Sequence, residues 1–319
     1  MSKRKRGKKK YISSKTKKKN IEFIYKVIIC PKNLSLFHNI EGFILFINKL
    51  KSFKNTSSRF YSIYLDLTLV EEIDESSITI LLSVIEELKN DNIRCEGNVP
   101  ISPYSKSILE HSGFFEHVKD INNAYVNNIR RTKNYILKQG KNTIDSQSVG
   151  SLVKDCVYFL TNTKDHFSKL YTVLMEVIPN TLEHAFNTRD NRVWFLSIKF
   201  DNVNKKVIFN FVDNGAGILK TIYKLPKQRT EELRSLKSEA KILDGVFNKE
   251  YNSRLKDENR NKGLPIVKSI YEERFIKNLK VLSNLALIHY DTSDFMELNN
   301  EFNGTFFYWE IDENSLKGI

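Results

Sequence analysis

The sequence predicts an α/β protein of two domains. Between residues 21 and 120, apolar strand-like runs alternate with amphipathic helical runs, and strands alternating with helices form α/β layers. After about residue 147 the order changes to two helices, a strand pair, a charged segment, a further helix and late strands. The intervening stretch 121–146 is polar and carries a Gly140 turn, as a connector would. A length of 319 residues suits two domains of roughly 100–200 residues each.

In the first domain, 23–29 reads as a strand, LFHNIEGFILFINKLKSF (36–53) as a helix and FYSIYLDL (60–67) as an alternating strand. SSITILLSVIEELKN (76–90) reads as a helix with Ser76 at its N-cap and Ile78, Leu81, Leu82, Ile85 and Leu88 on one face. A short strand at 93–99 and a helix near 104–111 complete it. In the second domain the pattern predicts helices at 147–163 and 168–186, and strands at 192–200 and 206–212 joined by DNVNKK. A charged segment over 218–262 has helical character at 229–248. It is followed by a helix at 263–273, strands near 279–290 and a last strand at 304–311.

The formal charge of +13 is mostly local, because residues 1–19 hold eleven Lys or Arg and no acid. Such a block cannot bury apolar surface and is expected to be a disordered tail over 1–20. It suits nucleic acid or an acidic partner through salt-dependent contacts, and equally a solvated arm. Tyr11 is its only aromatic residue, so base stacking is not indicated. The run IEFIYKVIIC (21–30) contains Glu22 and Lys26 and makes a poor signal-peptide core. No 18-residue apolar stretch occurs, which argues against a membrane span. Cys30, Cys95 and Cys156 are scattered, and the six histidines show no metal-site spacing, so neither a disulfide framework nor a zinc site is expected. A cytoplasmic location follows as the simplest expectation.

The chemistry concentrates between Met175 and Ile218. MEVIPNTLEHA (175–185) places Glu176, Asn180 and His184 at i, i+4, i+8 on one helix face. FVDNGAGI (211–218) ends an apolar strand in Asp213 and a turn with Gly215 and Gly217, backbone suited to close approach. NKGLPIV (261–267) reads as a glycine turn feeding a helix, and GTFFY (304–308) as a late strand. Taken singly, the first string is also an ordinary polar helix face and the second a tight turn; the order of all four is the signal. Pro179 removes a helix hydrogen bond at a cost of ~3 kcal/mol and predicts a kink before Asn180.

This order and spacing resemble the GHKL ATPase superfamily over about residues 147–311, which implies a GHKL-type α/β sandwich whose mixed sheet is covered by helices. The resemblance implies Mg-ATP binding, with Glu176 as the base or orienter for attacking water and Asn180 as the Mg²⁺ ligand. It further implies that Asp213 accepts from the adenine amine, with Gly215 and Gly217 at the ring and Thr305 assisting Asp213. Lys262, Gly263 and Leu264 would meet the phosphates at a helix start, and 218–262 would be the ATP lid. The sequence departs from the family at Asn261, where a first glycine is usual.

In the first domain, YLDLTLVEEIDESSITILL (64–82) and SILEHSGFFEHV (107–118) resemble the STAS fold of anti-anti-sigma factors. Asp74 then occupies the family's Asp position and Glu75 its phosphoacceptor position, with Ser76 and Ser77 beside them. A fixed anion at Glu75 implies a structural or docking module rather than a phosphorylation switch. Three functions stay open: a signalling ATPase or ATP switch with protein partners on the STAS-like domain, an anti-sigma-type Ser/Thr kinase, and a non-hydrolysing scaffold. The scaffold is expected in a multi-protein system such as anti-phage defence, and a homo-oligomer is compatible with each.

Overall fold

Parallel and antiparallel pairing divide the strands into two sheets. In the computed structural model, residues 24–55, 61–118, 135–140, 145–184, 193–222, 238–250 and 263–317 are described. The basic tail, residues 121–134 of the connector, and 223–237 and 251–262 of the expected lid lie outside them.

The N-terminal part runs β1 (Ile24–Ile29), α1 (Ile40–Lys51), β2 (Tyr61–Asp66), α2 (Glu75–Asn90), β3 (Arg94–Gly97) and α3 (Pro103–His111). Its strands form a parallel sheet in the order β1-β2-β3. The helical crossovers supply the length that parallel pairing needs. The second part contains β4 (Tyr135–Gly140), α4 (Ser146–Thr161), α5 (Ser168–His184), β5 (Trp194–Asp201), β6 (Lys206–Asp213) and α6 (Ile218–Ile222). It continues through α7 (Glu239–Phe247), α8 (Gly263–Glu272), β7 (Lys277–His289) and β8 (Asp294–Asp312). Its sheet has the order β4-β5-β6-β8-β7.

Every described pairing in this second sheet is antiparallel, where a mixed sheet was expected. The short connections β5–β6 and β7–β8 return the chain directly beside itself, as antiparallel neighbours allow. Part of the expected connector is itself structural, since β4 pairs with β5 along its whole length as an edge strand. The expected lid is also partly fixed: Ala240, Ile242, Leu243 and Phe247 of α7 are buried in the core.

Two apolar layers flank the five-stranded sheet. On one side, α4, α5, α7 and α8 contribute Val153, Leu174, Leu243 and Val267 to a core with Leu196, Phe209, Phe307 and Trp309. On the other, Phe43, Ile44 and Leu81 of the N-terminal helices share a core with Phe195, Val212, Leu282, Phe302 and Phe306. The N-terminal unit is therefore packed onto the sheet, and α1 and α2 lie between the two sheets.

That placement changes α2. Its sequence predicts one apolar face, yet every residue from Ser76 to Leu88 is buried. The polar positions reach the second sheet: Ser76 Oγ donates to Asn210 Oδ1 at 2.7 Å, and the hydroxyls of Thr79 and Ser197 lie 2.8 Å apart. Asn210 Nδ2 donates to Ser197 Oγ at 3.1 Å, which closes the network. Lys199 pairs with Glu75 at its edge. Small polar groups that hydrogen-bond one another can be buried without the penalty of isolated ones.

Candidate functional site

The two-residue repeat of β6 sorts its side chains. Val207, Phe209 and Phe211 enter the core shared with α4 and α5, while Asn210 and Val212 face the N-terminal unit. Continuing the alternation puts Asp213 on the first of these faces. Register then fixes its neighbours, Trp194 on β5 and Thr305 on β8, and Thr305 in turn pairs with Ser283 on β7. Asp213, Thr305 and Ser283 are 3%, 5% and 0% exposed. A carboxylate and two hydroxyls thus form a polar row at the end of an otherwise apolar sheet face.

The turn after β6 is built around this row. Gly215 N–H donates to Asp213 Oδ1 at 2.7 Å, a local Asx-type bond. Ser283 Oγ accepts from Ile218 N–H at 2.8 Å. Asn284 holds the rest: its Oδ1 accepts from Leu219 N–H at 3.1 Å, and its Nδ2 donates to Ala216 O at 2.9 Å and Glu301 Oε1 at 3.1 Å. Gly217 has φ +87, and a Cβ there would lie 2.3 Å from Asn284 Oδ1. Gly304 has φ +134, and a Cβ there would lie 2.2 Å from the Asp213 carbonyl oxygen. Both positions require glycine because protein atoms already close on them.

Glu176 lies on α5 and is half-buried; burial raises its carboxyl pKa above the ordinary carboxylate range. The helix runs without interruption through Pro179 to His184. Asn180 falls within it, but its side chain, like Lys262, lies outside the described residues. Helix α5 packs along α8. Gly263, the first residue of α8, is buried, and Leu264 packs against the same core. The structure thus brings Asp213, Gly215, Gly217 and Thr305 to one sheet end, and sets Glu176, Gly263 and Leu264 on neighbouring helices. No group of His, Cys, Asp and Glu suited to a metal occurs among the described residues.

A second feature opens at the start of α2. The helix cap is Asp74, whose carboxylate accepts from Ser77 N–H at 2.7 Å, rather than the expected Ser76. Asp74 also receives Ser35 Oγ–H and Leu36 N–H, and Ser77 Oγ–H donates to it at 2.7 Å. Ser76 and Ser77 are 4% and 1% exposed, so both hydroxyls are enclosed and committed. A cleft of about 390 Å³ adjoins Ser76, lined in part by Glu75, Asn210, Lys280 and Tyr308. Lys280 Nζ sits 3.9 Å over the Phe37 ring and 4.9 Å over that of Tyr308. Burial lowers its pKa, with Glu310 opposing the shift.

Ser283 and Asn284 escaped the sequence reading, and Gly304 entered it only as the start of a late strand. Their signals were a polar pair inside the apolar run VLSNLALIH and a glycine within a strand, which marks close backbone approach. No family model matches the chain, and no curated protein matches it.

Proposed function

We propose that the chain is an ATP-binding regulatory protein whose base pocket is the sheet end at Asp213 and Thr305. The observation that carries the reading is the buried Asp213–Thr305–Ser283 row beside a glycine turn. The donor set fits the ligand. A buried carboxylate would accept from an exocyclic amine, a neighbouring hydroxyl would add a second bond, and the apolar floor would take the ring. The N-terminus of α8 at Gly263 favours an anion, in keeping with phosphates placed there and with Lys262 and Leu264 beside them.

Glu176, with its carboxyl pKa raised by burial, suits a general base that accepts a proton from attacking water. Mg²⁺, with Asn180 as its protein ligand, would neutralise charge on the phosphates when bound. ATP hydrolysis or an ATP-held conformation within a cytoplasmic signalling assembly is the activity assigned. A kinase acting on its own Ser76 or Ser77 is disfavoured, because both residues are buried and their hydroxyls are committed, Ser76 to Asn210 and Ser77 to Asp74. The tail at 1–20 retains its proposed role toward nucleic acid or an acidic partner.

Calorimetry with Mg-ATP and a phosphate-release assay on wild type, Asp213→Asn and Glu176→Ala test the proposal. Wild type is expected to bind, Asp213→Asn to lose binding, and Glu176→Ala to bind without turnover. A folded wild type that does not bind Mg-ATP refutes it; binding without turnover moves the reading to a scaffold.

A further inference from the structure

Helix α1 belongs to the N-terminal unit, yet one of its faces grips the strand that carries Thr305. Residues 41, 48 and 51 share that face by helical spacing. The Glu41 carboxylate accepts from Asn299 N–H at 2.8 Å and from Asn300 Nδ2 at 2.8 Å. Asn48 Nδ2 donates to Glu301 O at 2.9 Å, and Lys51 Nζ donates to Asn303 O at 2.8 Å. The gripped residues, 299–303, lead directly into Gly304 and Thr305.

The contacts continue into the turn. Glu301 Oε1 receives Asn284 Nδ2, and Asn284 holds Ala216 and Leu219. Lys220 Nζ closes the circuit on Asn303 Oδ1 at 3.0 Å. Gly304 lies directly against the Asp213 carbonyl. The Lys51 side chain is 14% exposed, with Glu87 Oε2 of α2 3.5 Å from its ammonium. Burial lowers its pKa, and Glu87 and Asp213 are among the charges that oppose the shift.

We infer that α1, through Lys51, Asn48 and Glu41, positions the base-binding end of the nucleotide site, so that seating of the N-terminal unit and nucleotide binding form one linked equilibrium. This rests on the ATP-binding reading above. Lys51 is a positioning residue: it reaches Asn303 O and acts on the pocket through β8. A nucleotide that orders Asp213 and Thr305 stabilises 299–303 and therefore the seat of α1. Release of α1 loosens the same pocket.

The test is calorimetry of Mg-ATP and Mg-GTP on full-length wild type, Lys51→Met, Lys51→Arg and Asp213→Asn, with hydrogen exchange over residues 40–51. Lys51→Met is expected to weaken Mg-ATP binding on the order of tenfold and to narrow the ATP-to-GTP preference, with Lys51→Arg recovering part of both. A merely destabilised but folded protein would lose affinity for both nucleotides alike and keep the preference. Mg-ATP is expected to slow exchange over 40–51 in wild type. A folded Lys51→Met with unchanged affinity and preference overturns the inference, even where Asp213→Asn abolishes binding and so upholds the site. Should Lys51→Met fail to fold, the wild-type exchange decides: slowing by Mg-ATP supports the linkage and no change overturns it. Wild type that binds no Mg-ATP removes both the site reading and the inference.

Discussion

Substituting Asn210 probes the junction between α2 and the five-stranded sheet. Asn210 is fully buried, accepts from Ser76 Oγ at 2.7 Å and donates to Ser197 Oγ at 3.1 Å. Asn210→Leu keeps the volume nearly constant but strands the Ser76 hydroxyl, a cost of about 1–3 kcal/mol, and deletes a second bond worth ~1 kcal/mol. Ser197 keeps its contact with Thr79, so the expected loss is about 2–4 kcal/mol. Ser76→Ala alone strands the Asn210 acceptor and is expected to cost about 1–3 kcal/mol. The double substitution removes donor and acceptor together. It should cost less than the sum of the singles, by about 1–2 kcal/mol of coupling. Urea unfolding followed by fluorescence of Trp194 and Trp309 reads these values, because both tryptophans are buried in the sheet. Single variants within about 0.5 kcal/mol of wild type, or strictly additive effects, would refute the argument that this network joins the layers.

Two further outcomes test the site. Gly304→Ala must occupy φ +134 and meet the Asp213 carbonyl at 2.2 Å. Backbone strain alone is ~1–3 kcal/mol, so a total loss of about 3 kcal/mol or more is expected in the same urea titration, and a loss under about 1 kcal/mol would contradict the close approach. Glu176 has a folded pKa above its ordinary 4.5, so the native state holds that proton more tightly than the unfolded chain. Its contribution to stability therefore falls as pH rises between the two values, and the ionised carboxylate remains a cost above them. Glu176→Gln is expected to gain stability relative to wild type as pH rises through that window, measured by unfolding from about pH 3 to about pH 8; a flat difference would count against a desolvated carboxyl.

Local periodicity was enough to find most elements. The helix expected at 168–186 spans Ser168–His184, and the strand expected at 206–212 spans Lys206–Asp213. The acid ending an apolar strand and the glycine turn after it were legible because strand period and backbone freedom are properties of neighbouring residues. Pro179 lies inside α5, which remains helical from Ser168 to His184.

Among the described residues, no helix is long and apolar enough to cross a membrane, in line with the lack of a long apolar run in the sequence. The sequence by itself marked most of the helices and strands, where charge concentrates, and that Asp213 ends a strand, but it missed β4 and began the last strand at 304, whereas β8 begins at Asp294. Only the tertiary structure decided that Asp213 and Thr305 stand side by side, because register between β6 and β8 is set by long-range packing rather than by neighbours in the chain. The same holds for α2, whose sequence marks one apolar face but not that Ser76 and Thr79 meet Asn210 and Ser197 of a second sheet. Nor does any local pattern connect Lys51 with Asn303: two segments separated by most of the chain meet because both halves bury apolar faces against one sheet.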